Sequence, residues 1–175
     1  MTIYLGESKI PFVAHRVVLG TRSPYFDDVL QSGFKEGITN KISFEKDSPH
    51  ALWRVLCYIY IGDYFDEPAE TLHAEGLLFF LYDIETYLHS TGDDIELFKH
   101  PQVFALADVF RIEELKGIAC KKFEQLQTYW FSDTFPDSIR EVYSISNNID
   151  SNSIRDTVVN AVALYKQDLV RKGPF

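Results

Sequence analysis

Apolar and polar residues alternate along the first fifteen positions of the chain. Ile3 and Leu5 fall on one face of residues 1–5, and apolar residues recur at every second position of residues 10–15. A period of two is typical of a strand with one buried face. Pro11 has no backbone N–H to donate, so the second strand starts at Pro11 or lies at an edge of its sheet.

Beyond residue 15 the apolar spacing changes to three and four, which predicts helices. A serine hydroxyl caps the first turn of a helix, and proline is favoured at the first helical position. Four predicted helix starts carry a proline: Ser23-Pro24, Ser48-Pro49, Pro101 and Pro136. A third short strand, residues 41–44, interrupts the early helices, because Ile42 and Phe44 alternate with polar residues there.

Strands and helices are mixed at the start of the chain, and only helices follow. This order predicts an α+β fold, a small sheet capped by helices. Residues 63–100 show the weakest pattern. Their apolar run Leu77–Tyr82 is too short for its period to separate a strand from a helical turn. It either fills the core beneath an insertion or forms a partner-binding face, since large apolar patches mark contacts.

The charge balance narrows the choice of partners. Asp and Glu total 26 against 17 Lys and Arg, so the net charge is -9. Nucleic acids and anionic lipids attract basic stripes, and no run of basic residues is present here. The composition therefore argues against nucleic acid and membrane as direct partners. The longest apolar run, Leu77–Tyr82, is also far below the roughly 20 residues that a membrane helix needs.

Two cysteines, Cys57 and Cys120, bear on the cellular compartment. Both lie in apolar, helix-like stretches, where a free cysteine packs as a small hydrophobic residue. A redox pair or a metal site is the alternative. No basic segment precedes an apolar stretch at the N-terminus, so no signal peptide is expected. We therefore expect an intracellular protein of the cytoplasm or nucleus.

Candidate chemistry is sparse. The chain has no His-Glu-x-x-His or Cys-x-x-Cys zinc motif, no Gly-x-Ser-x-Gly elbow and no phosphate-binding loop. We therefore expect no catalytic residue, no metal and no cofactor. His15 closes the second strand and is the residue best suited to act as a general base. A small hydrolase is thus an alternative function, and a packed structural histidine is the alternative role for His15.

Four blocks of the sequence resemble the BTB/POZ domain, in the order that the family has them. The first, Phe12–Phe26, has a strand ending in His, then a basic residue, a Leu four positions after the His, and Ser-x-Tyr-Phe. The second and third look like those of fungal members. The second block is Gly33–Glu36, and the third is Asp47-x-Pro49 together with Tyr58–Tyr64. The fourth block is Val103–Phe110 together with Leu115 and Phe123.

The resemblance implies a BTB/POZ domain over residues 1–126 and a helical C-terminal extension over residues 127–175. It also implies that five residues form the signature of the fold. They are Phe12, His15, Leu19, Ser23 and Phe26. The implied function is a non-catalytic protein–protein interaction module that self-associates, recruits a partner, or does both.

BTB domains often form homodimers through the helices that follow the signature. The resemblance therefore places Tyr25, Val29 and Leu30 at a possible dimer interface. The chain begins almost at its first strand, without the N-terminal helix that many BTB dimers exchange. We therefore expect a dimer weaker than the exchanged kind, or a monomer.

The family also implies an alternative role as a cullin-type ubiquitin-ligase substrate adaptor. Such adaptors present a hydrophobic-x-acidic motif just before the helix that we predict to start at Pro101, and Lys99-His100-Pro101 does not match it. Four residues outside that register remain possible partner contacts: Ile95, Leu97, Phe135 and Tyr143. We expect cullin binding to be weak or absent.

Overall fold

Three short strands form one sheet. β1 (Thr2–Leu5) lies in the middle, with β2 (Ile10–Val13) antiparallel on one side and β3 (Lys41–Phe44) parallel on the other. The three predicted strands are therefore confirmed, and Pro11 lies in an edge strand. The computed structural model describes residues 1–31, 33–66, 95–126, 132–146 and 152–171, with the side chains of the last helix described for 154–164.

Eight helices accompany the sheet within the described residues. They are α1 (Arg16–Arg22), α2 (Pro24–Gln31), α3 (Lys35–Thr39), α4 (Pro49–Ile61), α5 (Glu96–Val109), α6 (Glu113–Gln125), α7 (Phe135–Ile145) and α8 (Asn152–Arg171). α5 packs against α4, α6 and α7, while α8 packs against α6 and α7. The predicted α+β class is confirmed. The boundary predicted between residues 126 and 127 stays a prediction, and Leu77–Tyr82 lies outside the described residues.

The alternation in the strands points one face of the sheet into the core. Ile3, Leu5, Ile10, Phe12 and Ile42 are all buried. The sheet thus buries one apolar face, as a period of two requires. None of the helices in the described residues combines the length and the apolar character needed to cross a membrane.

Both predicted serine caps are present. The Ser48 hydroxyl accepts a hydrogen bond from the Ala51 N–H at 3.3 Å. The Ser23 hydroxyl accepts from the Phe26 N–H at 3.4 Å and donates to the Phe110 carbonyl at 2.8 Å. Ser23 is buried, so this second bond satisfies its hydroxyl and ties the start of α2 to the end of α5.

Four aromatic rings join α2, β3 and the end of α5. Phe110 lies 5.0 Å from Phe26, 5.2 Å from Tyr25 and 5.3 Å from Phe44, measured between ring centroids. Tilted and edge-on rings at these separations attract beyond their burial. This aromatic cluster connects segments that are far apart in sequence.

The predicted start of α5 is wrong. The helix begins at Glu96, where the N–H groups of Phe98 and Lys99 donate to the Ile95 carbonyl at 2.9 and 3.2 Å. Pro101 is therefore inside the helix, where it removes the hydrogen bond to the Leu97 carbonyl. Pro101 and Leu97 are both buried, and this packing stabilises the first turns of the helix despite the lost bond.

Candidate protein-binding surfaces

His15 occupies the junction between β2 and α1. Its backbone N–H donates to the Tyr60 hydroxyl at 2.8 Å, and its Nδ1 lies 3.0 Å from the same oxygen. The hydroxyl therefore accepts from the backbone N–H and is also hydrogen-bonded to Nδ1. Burial raises the pKa of Tyr60, which keeps this phenol protonated. The arrangement ties the junction to α4 and gives His15 a structural partner rather than an activated nucleophile.

The other four signature residues lie in the core. Phe12, Leu19, Ser23 and Phe26 are buried, whereas His15 is exposed. The four buried side chains bring β2, α1 and α2 together. These four residues support the surface of the domain from within and are not exposed on it.

The three residues proposed for a dimer interface are only partly available to a partner. Tyr25 is half-buried within the aromatic cluster, and burial together with Glu36 and Asp47 raises the pKa of its hydroxyl. Val29 and Leu30 are half-buried, and Val29 also packs against the core. These side chains offer a modest apolar area on the outside of α2.

Two exposed valines, at the end of β2 and the start of α1, were not predicted as contacts. Val13, at the end of β2, is 73% exposed, and Val17, in the first turn of α1, is 77% exposed. Between them, Arg16 holds α1 to its neighbours by donating to the carbonyls of Gly37 at 3.4 Å and Leu30 at 3.3 Å. Because Val13 follows Phe12 on the strand, the alternation itself places a valine on the solvent side.

The proposed partner contacts divide into two groups. Leu97 and Phe135 are buried in the core, so they are corrected to structural residues with no surface to offer. Ile95 is 44% exposed directly before α5, and Tyr143 is 42% exposed on α7, where the Arg155 guanidinium lies 4.9 Å above its ring. Only Ile95 and Tyr143 remain as candidate contacts.

A buried polar network fixes the chain after α4. Arg54 is buried and donates to the carbonyls of Phe65 at 3.1 Å and Asp66 at 3.4 Å. Lys99 donates to the same Asp66 carbonyl at 3.0 Å, and Lys122 donates to the Asp66 carboxylate at 3.0 Å. Side chains from α4, α5 and α6 thus all bond to Asp66, which gives the network a structural role.

His100 and Tyr64 form a second buried polar pair. The Tyr64 hydroxyl and the His100 Nδ1 are 2.8 Å apart. Burial lowers the pKa of His100 to about 4 and raises the pKa of Tyr64 far above its usual range. Both side chains are therefore neutral at pH 7, as a buried hydrogen-bonded pair requires.

In the described part of the chain, neither metal-ligand residues nor thiols form a further candidate site. No group of three or more His, Cys, Asp or Glu residues there is arranged to hold a metal ion. Cys57 is buried and Cys120 half-buried, and neither forms a disulfide. The exposed features that stand out are instead aliphatic side chains, which suit contacts with other proteins.

The described part of the chain is a small sheet covered by helices, with several aliphatic side chains exposed at the surface. The chain belongs to the BTB/POZ family, because the model of that family, described as BTB/POZ domain, matches residues 1–127. The resemblance to the BTB/POZ family is thereby confirmed, and this family consists of non-catalytic interaction domains.

One curated relative supports the same assignment. Kelch-like protein 25 of Xenopus laevis is 30% identical to this chain over 87 residues, which is 48% of this chain and 14% of that protein. The similarity therefore covers a small part of the relative.

Proposed function

We propose that this protein acts without catalysis, by self-association and by recruitment of another protein. The exposed valines at the junction of β2 and α1 are the observation that carries the proposal. Val17 lies on α1, which packs against α2, and Val29 and Leu30 of α2 are half-buried. The family resemblance places a dimer interface at Tyr25, Val29 and Leu30 of α2.

The size of this surface sets the expected affinity. Burying one valine side chain contributes about 1.5–3 kcal/mol. A specific interface buries about 1,200–2,000 Å² in total, which takes many more residues than Val13, Val17, Val29 and Leu30. Association also has to offset the lost freedom of two molecules. We therefore expect a weak homodimer.

Sedimentation velocity over a concentration series tests self-association. We expect the weight-average sedimentation coefficient to rise across the micromolar range, and Val17→Glu to remove that rise because it places a charge in the interface. Val159→Glu is the matched control, since Val159 is exposed on α8. A dimer that persists at nanomolar protein, or one that Val17→Glu leaves intact, would contradict the proposed interface.

Recruitment of a cullin is the alternative, and the geometry before α5 bears on it. The helix starts at Glu96, so Lys99 and His100 are buried inside it and are not the residues that precede it. Ile95 takes that place instead. Its neighbour Glu96 accepts a hydrogen bond from Lys99 at 2.6 Å, and Leu97 is buried. The Glu96 carboxylate is thus already paired, and the Leu97 side chain is buried. For this reason we propose that the chain does not form a tight complex with a cullin.

Isothermal titration against the N-terminal domain of the cullin from the same organism measures this directly. We expect no complex tighter than the micromolar range. A dissociation constant in the low nanomolar range would overturn this expectation and make the adaptor role the leading one. In that case Ile95→Ala should weaken binding, while Val109→Ala, at an exposed position on the other end of α5, serves as the control.

A further inference from the structure

The outer edge of β3 has unused backbone groups. The Thr2 N–H donates to the Asn40 carbonyl at 2.8 Å, and the Gly6 N–H donates to the Phe44 carbonyl at 3.0 Å. In a parallel ladder, alternate residues bond to the same neighbouring strand. Asn40 and Phe44 therefore face β1, whereas the N–H and C=O groups of Lys41 and Ser43 point away from it. Within the described residues the sheet ends at this edge.

An open groove of about 420 Å³ runs along this edge. α3 forms one wall through Lys35 and Thr39, which are one turn apart and share a helix face. Lys41 and Ser43 form the other wall, and Tyr4 extends it across the sheet. The side chains of Lys41 and Ser43 are exposed, so the groove is accessible to a partner.

The charge in the groove is opposite to that of the whole chain. Lys9, Lys35 and Lys41 line it together with two glutamates, in a protein whose net charge is -9. Lys9 is paired with Glu45 at 2.9 Å. Within the described residues, Lys35 and Lys41 form no ion pair. With three lysines and two glutamates, the groove carries one net positive charge beside an open strand edge.

We propose that the edge of β3 binds an extended acidic segment of a partner protein as a fourth strand. This inference rests on the proposed recruitment of a partner and supplies its chemistry. The added strand would bond to the backbone of Lys41 and Ser43, and its alternate side chains would face the outer side of the sheet. Acidic residues at those positions meet Lys41 and Lys35. Lysines at an edge also disfavour uncharged strands, which adds selectivity.

Fluorescence anisotropy with a labelled, acetylated hexapeptide of alternating Asp and Val is the test. We expect saturable binding that weakens as salt is raised, because the lysine contacts are exposed and screened. A peptide of alternating Lys and Val should bind at least tenfold more weakly. The acidic peptide is also made in two N-methylated versions, one methylated on its valines and one on its aspartates. The version that has lost the N–H groups facing β3 should likewise bind at least tenfold more weakly.

Two variants of the full chain separate the charge from the strand edge. Lys35→Glu with Lys41→Glu should weaken peptide binding at least tenfold, whereas the control Lys121→Glu with Arg140→Glu, at exposed sites on α6 and α7, should not. Ser43→Pro removes an outward N–H that the ladder with β1 does not use, so it should weaken binding while the protein stays folded. Circular dichroism melts confirm that each variant is folded.

Three results would overturn the inference. The first is equal binding of the acidic and basic peptides. The second is unchanged binding by folded Ser43→Pro or by both N-methylated peptides, which would reduce the site to a charged patch. The third is that the peptide does not bind to a chain that still self-associates or still captures a partner. This result would show that the β3 edge is not the binding site, and it would leave the proposed function unaffected.

Discussion

Replacing Phe26 by alanine is expected to lower the free energy of unfolding by about 3–5 kcal/mol. Phe26 has no exposed surface, and its ring lies 5.0 Å from Phe110 and 5.3 Å from Tyr25. Alanine leaves a cavity at the centre of the aromatic cluster. A domain of this size has about 5–15 kcal/mol of total stability, so the variant loses a large share of it. Urea unfolding followed by circular dichroism measures the difference.

Phe34→Ala is the matched control. Phe34 is 65% exposed before α3, so the same substitution there should change stability by no more than about 0.5 kcal/mol. If Phe26→Ala unfolds at the same urea concentration as Phe34→Ala, then α2 does not pack on the core as described.

Replacing Arg54 by alanine is expected to cost about 2–5 kcal/mol, since it leaves a cavity and removes two hydrogen bonds, although Lys99 still donates to the Asp66 carbonyl. Arg54 is buried and donates to Phe65 and Asp66. Arg54→Met keeps most of the apolar stem and should recover part of the loss. The same urea titration compares both variants with the wild type.

Arg140→Ala provides the comparison at the surface. Arg140 is exposed on α7 and pairs with Asp137, also exposed, and such pairs contribute about 0–1 kcal/mol. Equal stability of Arg54→Ala and Arg140→Ala would mean that the network around Asp66 does not hold the chain after α4.

The sequence predicted the parts of the fold that local patterns determine. Period-two alternation located the strands, and the Ser-Pro pairs marked the starts of α2 and α4, because these features depend on near neighbours in the chain. Phe12, Leu19 and Phe26 are buried for the same reason, since each lies on the apolar face of its own element.

Features that depend on tertiary packing were missed or misplaced. Pro101 resembles a helix start, but packing carries α5 five residues further toward the N-terminus. α4 is buried on nearly every side, so its sequence gave no reason to place Arg54 inside. Leu97 and Phe135 were proposed as contacts, yet the core encloses them. Val17 could not be recognised as exposed, because one short helix does not show which neighbour covers it.

Affinity purification of the tagged chain from its native cells, followed by quantitative mass spectrometry, tests most directly whether this protein works by binding other proteins. We predict that untagged copies of the chain and a small, reproducible set of other proteins co-purify, that Val17→Glu removes the untagged copies, and that Val159→Glu does not. If nothing is enriched above the untagged control, although the purified chain is folded, the proposed function is wrong.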